Sequence, residues 1–296
     1  MPLHIPRFAS AAVAAVAVPV GLSIQAVGDW GGHRQSYPAA HPLAMTVSLL
    51  PGSIVYPMPG EFLKDGRPQR NPRLRQQFDK PLEIMTYQVS AADYADCVAA
   101  GGCQPPQEAR AIPDDAPVTG VSYLDADAYA RWYSEATGDH WRLPSDEEWA
   151  FAAAERFTGE FEGVEDDADN PARRWLTSYK AEVALNRRPD PLPRSRGSFG
   201  VNSRGLADLS GNVWEWTSTC YVRATLAADG VGVASSIDNC GVHVVEGFHR
   251  TYMSNFVSDG KSGGCAVGTP PDNLGFRLVR NQPGWAKRIL GRLGII

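Results

Sequence analysis

The sequence has no basic patch. No run of five or more Lys and Arg occurs, and the formal net charge is −5 with a pI near 5.7. An acidic chain without clustered positive charge offers no electrostatic footprint for a polyphosphate, which excludes DNA and RNA as expected partners. Internal repeats and low-complexity tracts are also missing, so a repeat array is excluded. None of the five cysteines forms a CxxC pair, which removes the usual redox and zinc spacings.

No cysteine falls in the first 26 residues, and those residues have a pattern of their own. "MPLHIPRFASAAVAAVAVPVGLSIQA" carries Arg7 before an Ala/Val-rich run from Phe8 to Ile24, with the small residue Ala26 as a cleavage point. This is the outline of a secretory signal over 1–26, with a retained membrane anchor as the alternative. Either outcome places the remaining chain outside the cytoplasm, periplasmic or secreted. The cysteines agree with export, since an oxidising compartment would pair four and leave one. Cys97 and Cys103 straddle a helix end at Gly101-Gly102 and suit a local bridge, and Cys220 and Cys240 flank a Gly/Ala/Ser-rich segment expected to be an exposed loop. Cys265 is then the odd thiol.

At 296 residues with 43% hydrophobic side chains the chain can bury one sizeable core. Residues 27–44 lack hydrophobic period and read as a linker, 45–281 as the folded domain, and 282–296 as a basic amphipathic tail. In that tail Lys287, Arg288 and Arg292 lie among apolar residues, a pattern suited to a membrane surface or a partner, with packing against the domain as the alternative. Within the domain, "KDGRPQRNPRLRQQF" from Lys64 reads as a solvated loop. Three helices are expected, after Ser90, Ser122 and Ser145, each opened by a Ser cap. Short helices followed by short strands and long loops argue for an α+β domain.

"GLADLSGNVWEWTS" (205–218) sets two carboxylates, Asp208 and Glu215, around a Gly211-Asn212 turn, with Trp214 and Trp216 on one face of a strand and Glu215 on the other. Hard cations such as calcium take oxygens at a turn of this kind, and a plain turn is the competing reading. "NLGFRLVR" from Asn273 is expected to be one final core strand, with Leu274, Phe276 and Leu278 on one face.

These two segments, with "PVTGVSYLDADAYARWYSEATGDHWRLPSDEEWAFAAA" (117–154) and the earlier "PLEIMTYQVSAADYADCV" (81–98), resemble the formylglycine-generating enzyme family, also called sulfatase-modifying factors. The resemblance implies a C-type-lectin-related α+β fold with little regular secondary structure. It also implies structural calcium held by the side chains of Asp208 and Glu215 and the carbonyls of Gly211 and Val213, with a second calcium site near Asn186. Active members oxidise a cysteine within Cys-x-Pro-x-Arg to formylglycine with oxygen and Cu(I) held by two cysteines. Soft thiolates select Cu(I). By resemblance those positions fall on Met253 and Ser258, in a segment that begins "HRTYM" at His249, so neither thiolate is present.

The candidate site residues are therefore His249, Arg250, Tyr252, Met253, Ser258 and Cys265; binding of a redox metal, copper or iron, is left open, with His249, Met253, His243 and Cys265 as an alternative soft-metal set if they converge. One reading has His249 and Arg250 hydrogen-bonding the loop while Tyr252 and Met253 pack. Among relatives without the cysteine pair, the chain is most similar to accessory proteins of copper nitrite reductases. That similarity implies an exported maturation factor acting on another exported protein. A formylglycine-generating oxidase with a rearranged site and a non-catalytic lectin-like binding module are the alternatives.

Overall fold

The computed structural model describes residues 44–107, 111–158, 176–177, 180, 192–230, 232–258 and 273–281. All of them belong to one compact unit, Tyr37–Ile296. The signal, linker and tail segments, Asn186 and Cys265 lie outside the described residues, except that Ala44 of the expected linker is described.

The fold is α+β, and six strands precede the first helix: β1 (Thr46–Leu49), β2 (Gly52–Pro57), β3 (Glu61–Lys64), β4 (Arg67–Gln69), β5 (Arg73–Phe78) and β6 (Leu82–Met85). The segment from Lys64 is thus strand and hairpin where a loop was expected. Asp65 (φ 52°) and Gly66 (φ 73°) make the two-residue turn that pairs β3 with β4, and β5 pairs with β2. These strands are largely exposed, so no apolar alternation announces them. An Asp-Gly turn was the available signal.

The three helices are α1 (Ala91–Ala99), α2 (Tyr123–Thr137) and α3 (Asp146–Ala153). Each opens with a complete capping box: Ser90 with Asp93, Ser122 with Asp125, Ser145 with Glu148. Every Ser hydroxyl accepts the third amide of its helix while the acid accepts the Ser amide, and each such cap contributes about 1 kcal/mol. Gly138 closes α2 in the left-handed conformation, and β7 (His140–Arg142) follows.

The second half departs furthest from expectation. The segment between Cys220 and Cys240 is two long strands, β8 (Trp214–Leu226) and β9 (Val233–Glu246), rather than a loop. They turn at Asp229-Gly230, and the first nine residues of β9 are exposed, so their sequence carries no core pattern. The chain ends its described path in β10 (Thr251–Ser254), β11 (Leu274–Gly275) and β12 (Val279–Asn281). Leu274, Phe276 and Leu278 share one apolar cluster as expected, but the single final strand is instead two. β11 pairs in parallel with β8, and β12 belongs to a different sheet, so the chain must break pairing between them.

One sheet has the order β1-β6-β12-β7, another β10-β9-β8-β3-β4 with β11 added to β8, and β2-β5 forms the third. Apolar clusters sit against them, one around Tyr129, Trp216 and Phe276, another around Ile84, Trp149 and Leu206, and a smaller one of Phe62, Ala224 and Leu226. Burying an indole as completely as that of Trp149 makes its truncation cost about 3–5 kcal/mol.

Candidate functional site

The turn before β8 is built from left-handed residues, Asp208 (φ 59°), Ser210 (φ 55°) and Asn212 (φ 67°), and it faces inward. Asp208 is fully buried, and its carboxylate accepts the amides of Gly197 (2.5 Å) and Phe199 (2.8 Å). Glu215, on the opposite strand face from Trp214 and Trp216, is also buried. Its Oε1 accepts from Gln88 Nε2 (2.8 Å) and Arg277 Nη2 (2.7 Å), and its Oε2 from Trp149 Nε1 (3.0 Å) and Arg277 Nε (2.6 Å).

Those contacts bear on the expected calcium ligands. A carboxylate has about four lone-pair directions, and four N–H donors fill those of Glu215. The Arg277 guanidinium also supplies the compensating positive charge. Gln88 Nε2 further donates to the Asp208 carbonyl, and the Gly211 carbonyl accepts the Val213 amide. Of the expected set, Glu215 is held by the Arg277 guanidinium and Asp208 by two backbone amides, so both carboxylates already have N–H donors. No group of three or more His, Cys, Asp or Glu that could hold a metal ion occurs among the described residues.

The "HRTYM" segment follows β9 through a tight turn and enters β10. Arg250 is fully buried, with Nε 2.8 Å from Glu246 Oε1, Nη2 2.8 Å from Asp146 Oδ2 and Nη1 donating to the Pro57 carbonyl. Burial alone would lower its pKa, and the two carboxylates reverse that, holding the guanidinium firmly charged. Burial pushes the Glu246 carboxyl well above the ordinary range, Arg250 opposes the shift, and the neighbouring Asp146 adds to it. With one cation between two acids, the protonated form of Glu246 is favoured relative to an ordinary carboxyl. Tyr56 lies against this group, and its hydroxyl is pushed up by burial and then by Asp146.

The other candidates separate. His249 Nδ1 faces the Arg250 carbonyl, leaving Nε2 buried without a partner among the described residues. Tyr252 points to the far sheet face, where its hydroxyl accepts the Gly60 amide at 2.7 Å. Met253 is in the apolar core, and Ser258 donates to Gln107 Oε1 at 2.6 Å. Packing and hydrogen bonding therefore account for Arg250, Tyr252, Met253 and Ser258. Both expected disulfides are formed, Cys97–Cys103 and Cys220–Cys240.

Sequence reading missed three things. Asp146 and Glu246 look like ordinary surface acids of a helix start and a strand end. Arg277 was visible as the one charge on the back of an apolar segment, which was the signal to look for a buried acid. The third is a cavity of about 200 Å³ bordered by Met85, Tyr87, Tyr129 and Tyr133, with Arg196 over the Tyr87 ring and 3.6 Å from Asp93.

Residues 35–282 match the family described as Sulfatase-modifying factor enzyme 1-like domain. The chain is 37% identical over 111 residues to a formylglycine-generating enzyme of Mycobacterium tuberculosis, covering 35% of this chain and 33% of that one. It is 31% identical over 168 residues to an inactive C-alpha-formylglycine-generating enzyme 2 of Mus musculus, covering 55% and 48%. These matches span half or less of those relatives' own lengths. Among solved structures, PvdO from Pseudomonas aeruginosa shares the fold, with a TM-score of 0.50 at 22% identity over 80% of this chain and 94% of the other.

Proposed function

The chain belongs to the Sulfatase-modifying factor enzyme 1-like family, and from that membership we propose that it is an exported maturation factor acting on another exported protein, a copper nitrite reductase or another redox enzyme. The observation that carries this reading is the chemistry at the positions assigned to the copper cysteines. Met253 is 1% exposed inside the core, and the Ser258 hydroxyl is committed to Gln107. A thioether holds Cu(I) only weakly and a hydroxyl hardly at all, so the pair is a poor substitute for two thiolates. A relative whose name describes it as inactive supports a family role without that oxidation. Two disulfides support an oxidising compartment.

Deletion of the gene followed by assay of each exported redox enzyme tests the proposal. One client is expected to lose activity and metal, whereas full activity and full loading of all of them would overturn it. In a separate incubation, a Cys-x-Pro-x-Arg peptide with Cu(I) and oxygen should keep its mass, and appearance of the aldehyde would favour the oxidase instead. The tyrosine-bordered cavity favours a second reading, a lectin-like module that binds a small ligand there without chemistry.

A further inference from the structure

Cys220 has an irregular strand on both sides. The β8–β9 register shifts between Trp216 and Cys220 and again between Cys220 and Tyr221, and Cys220 itself stands opposite His243. Such bulges re-aim a side chain. Here Cys220 Sγ lies 3.9 Å from His243 Nε2 while remaining bonded to Cys240.

The hydrogen bonds around His243 decide which nitrogen faces the sulfur. Asn255 Nδ2 donates to the Cys240 carbonyl at 2.7 Å, so the amide oxygen is the atom turned toward the imidazole. It stands 2.6 Å from His243 Nδ1, which must therefore carry the hydrogen. Nε2 is left with its lone pair directed at Cys220. The Tyr123 ring stacks on the imidazole at 3.7 Å and 12°, holding its plane. Burial lowers the His243 pKa, with Asn255 and the Asp127 carboxylate opposing, and Asp127 is itself paired with Arg131 on α2.

We propose that Cys220, His243 and Asn255 form a thiol–disulfide exchange site, with the Cys220–Cys240 bond as its resting oxidised form and an exposed cysteine thiol of a client as its reactant. Cys240 is exposed and Cys220 half-buried, so an incoming thiol reaches Cys240 first. Its sulfur bonds to Cys240 Sγ, the Cys220–Cys240 bond breaks, and the electron pair passes to Cys220 Sγ. The proton of the incoming thiol ends on His243 Nε2, giving a thiolate–imidazolium pair. A second client thiol then displaces Cys240 as a thiol, so one client disulfide forms while the pair is reduced. Asn255 acts as a positioning residue through His243. Cys97–Cys103 is buried, with Cys97 at 0% and Cys103 at 7% exposure, which makes it an internal control.

The test uses glutathione and iodoacetamide on the purified full chain. Under limiting glutathione, peptide mapping should find the mixed disulfide on Cys240 while Cys97–Cys103 stays closed. Equal resistance of the two bridges would overturn the proposal. After selective reduction, Cys220 should be alkylated near pH 6 roughly tenfold faster than in His243→Gln, whose profile moves to the ordinary thiol range near 8.5. Asn255→Ala should give an intermediate profile, and it carries the test if the histidine variant does not fold. Superimposable pH profiles in wild type and variant would overturn the assignment. Neither reagent involves a client, so failure here would leave the maturation reading standing.

Discussion

Arg277 lies along the carboxylate of Glu215 with both members buried, Nε 2.6 Å from Oε2 and Nη2 2.7 Å from Oε1. The remaining guanidinium contacts go to the carbonyls of Met85, Thr86 and Ala207, so one side chain ties β6, the turn before β8 and the C-terminal segment together. Arg277→Met should cost about 3–5 kcal/mol, because it strands a buried carboxylate. Adding Glu215→Gln to that variant should recover part of the loss. Urea denaturation of the two singles and the double measures the coupling, and strict additivity would contradict it.

Calcium chelation should leave the melting temperature unchanged, since the guanidinium fills the cation position beside Glu215. A bound calcium at a hundredfold excess over its Kd would add about 2.7 kcal/mol. Scanning calorimetry with and without chelator separates the outcomes, and a fall of several degrees would show that calcium displaces Arg277.

Glu246 makes stability depend on pH with a defined sign. The native carboxyl keeps its proton above the pH at which the unfolded one, near 4.5, releases it. Folding therefore takes up a proton in that window, and stability falls as pH rises from there toward the raised native value. Glu246→Gln retains an oxygen acceptor for Arg250 and removes the titration. Its denaturation midpoint should decline less than that of wild type as pH rises above the unfolded carboxyl's value. An unchanged slope would place the proton elsewhere.

Gly247 is required by contact. A Cβ there would fall 2.4 Å from the Trp214 ring, in the turn that leads into "HRTYM". The indole cannot yield, because it is buried and its Nε1 donates to the His249 carbonyl at 3.1 Å. Gly247→Ala should lose about 1–3 kcal/mol. Thermal melting reads the loss, and a neutral result would mean that the turn relaxes.

Local devices were legible in the sequence and long-range ones were not. The three capping boxes could be read because Ser and its acid stand three residues apart. Both cysteine pairings were legible for a similar reason, each closing a short segment. The first nine residues of β9 were hidden because a strand that faces water on both sides loses the alternation that marks it. Glu215 was visible as a candidate ligand, but its guanidinium partner Arg277 stands 62 residues away. The Arg250 group is more dispersed still, drawing on Pro57 and Asp146 at separations of 193 and 104 residues. Pairing between such distant charges follows from topology, which no local pattern encodes.

The position of β12 sets an order of events in the life of the chain. It is an interior strand, flanked by β6 and β7 although both precede it by more than a hundred residues. The four-stranded sheet cannot close until residue 281 is available, and Arg277 reaches Glu215 only at the same late stage. Contacts this distant in sequence make folding slow relative to local helix formation. The chain therefore stays open until nearly its last described residue is available, and a chain truncated before Val279 would hold a sheet lacking one of its two interior strands.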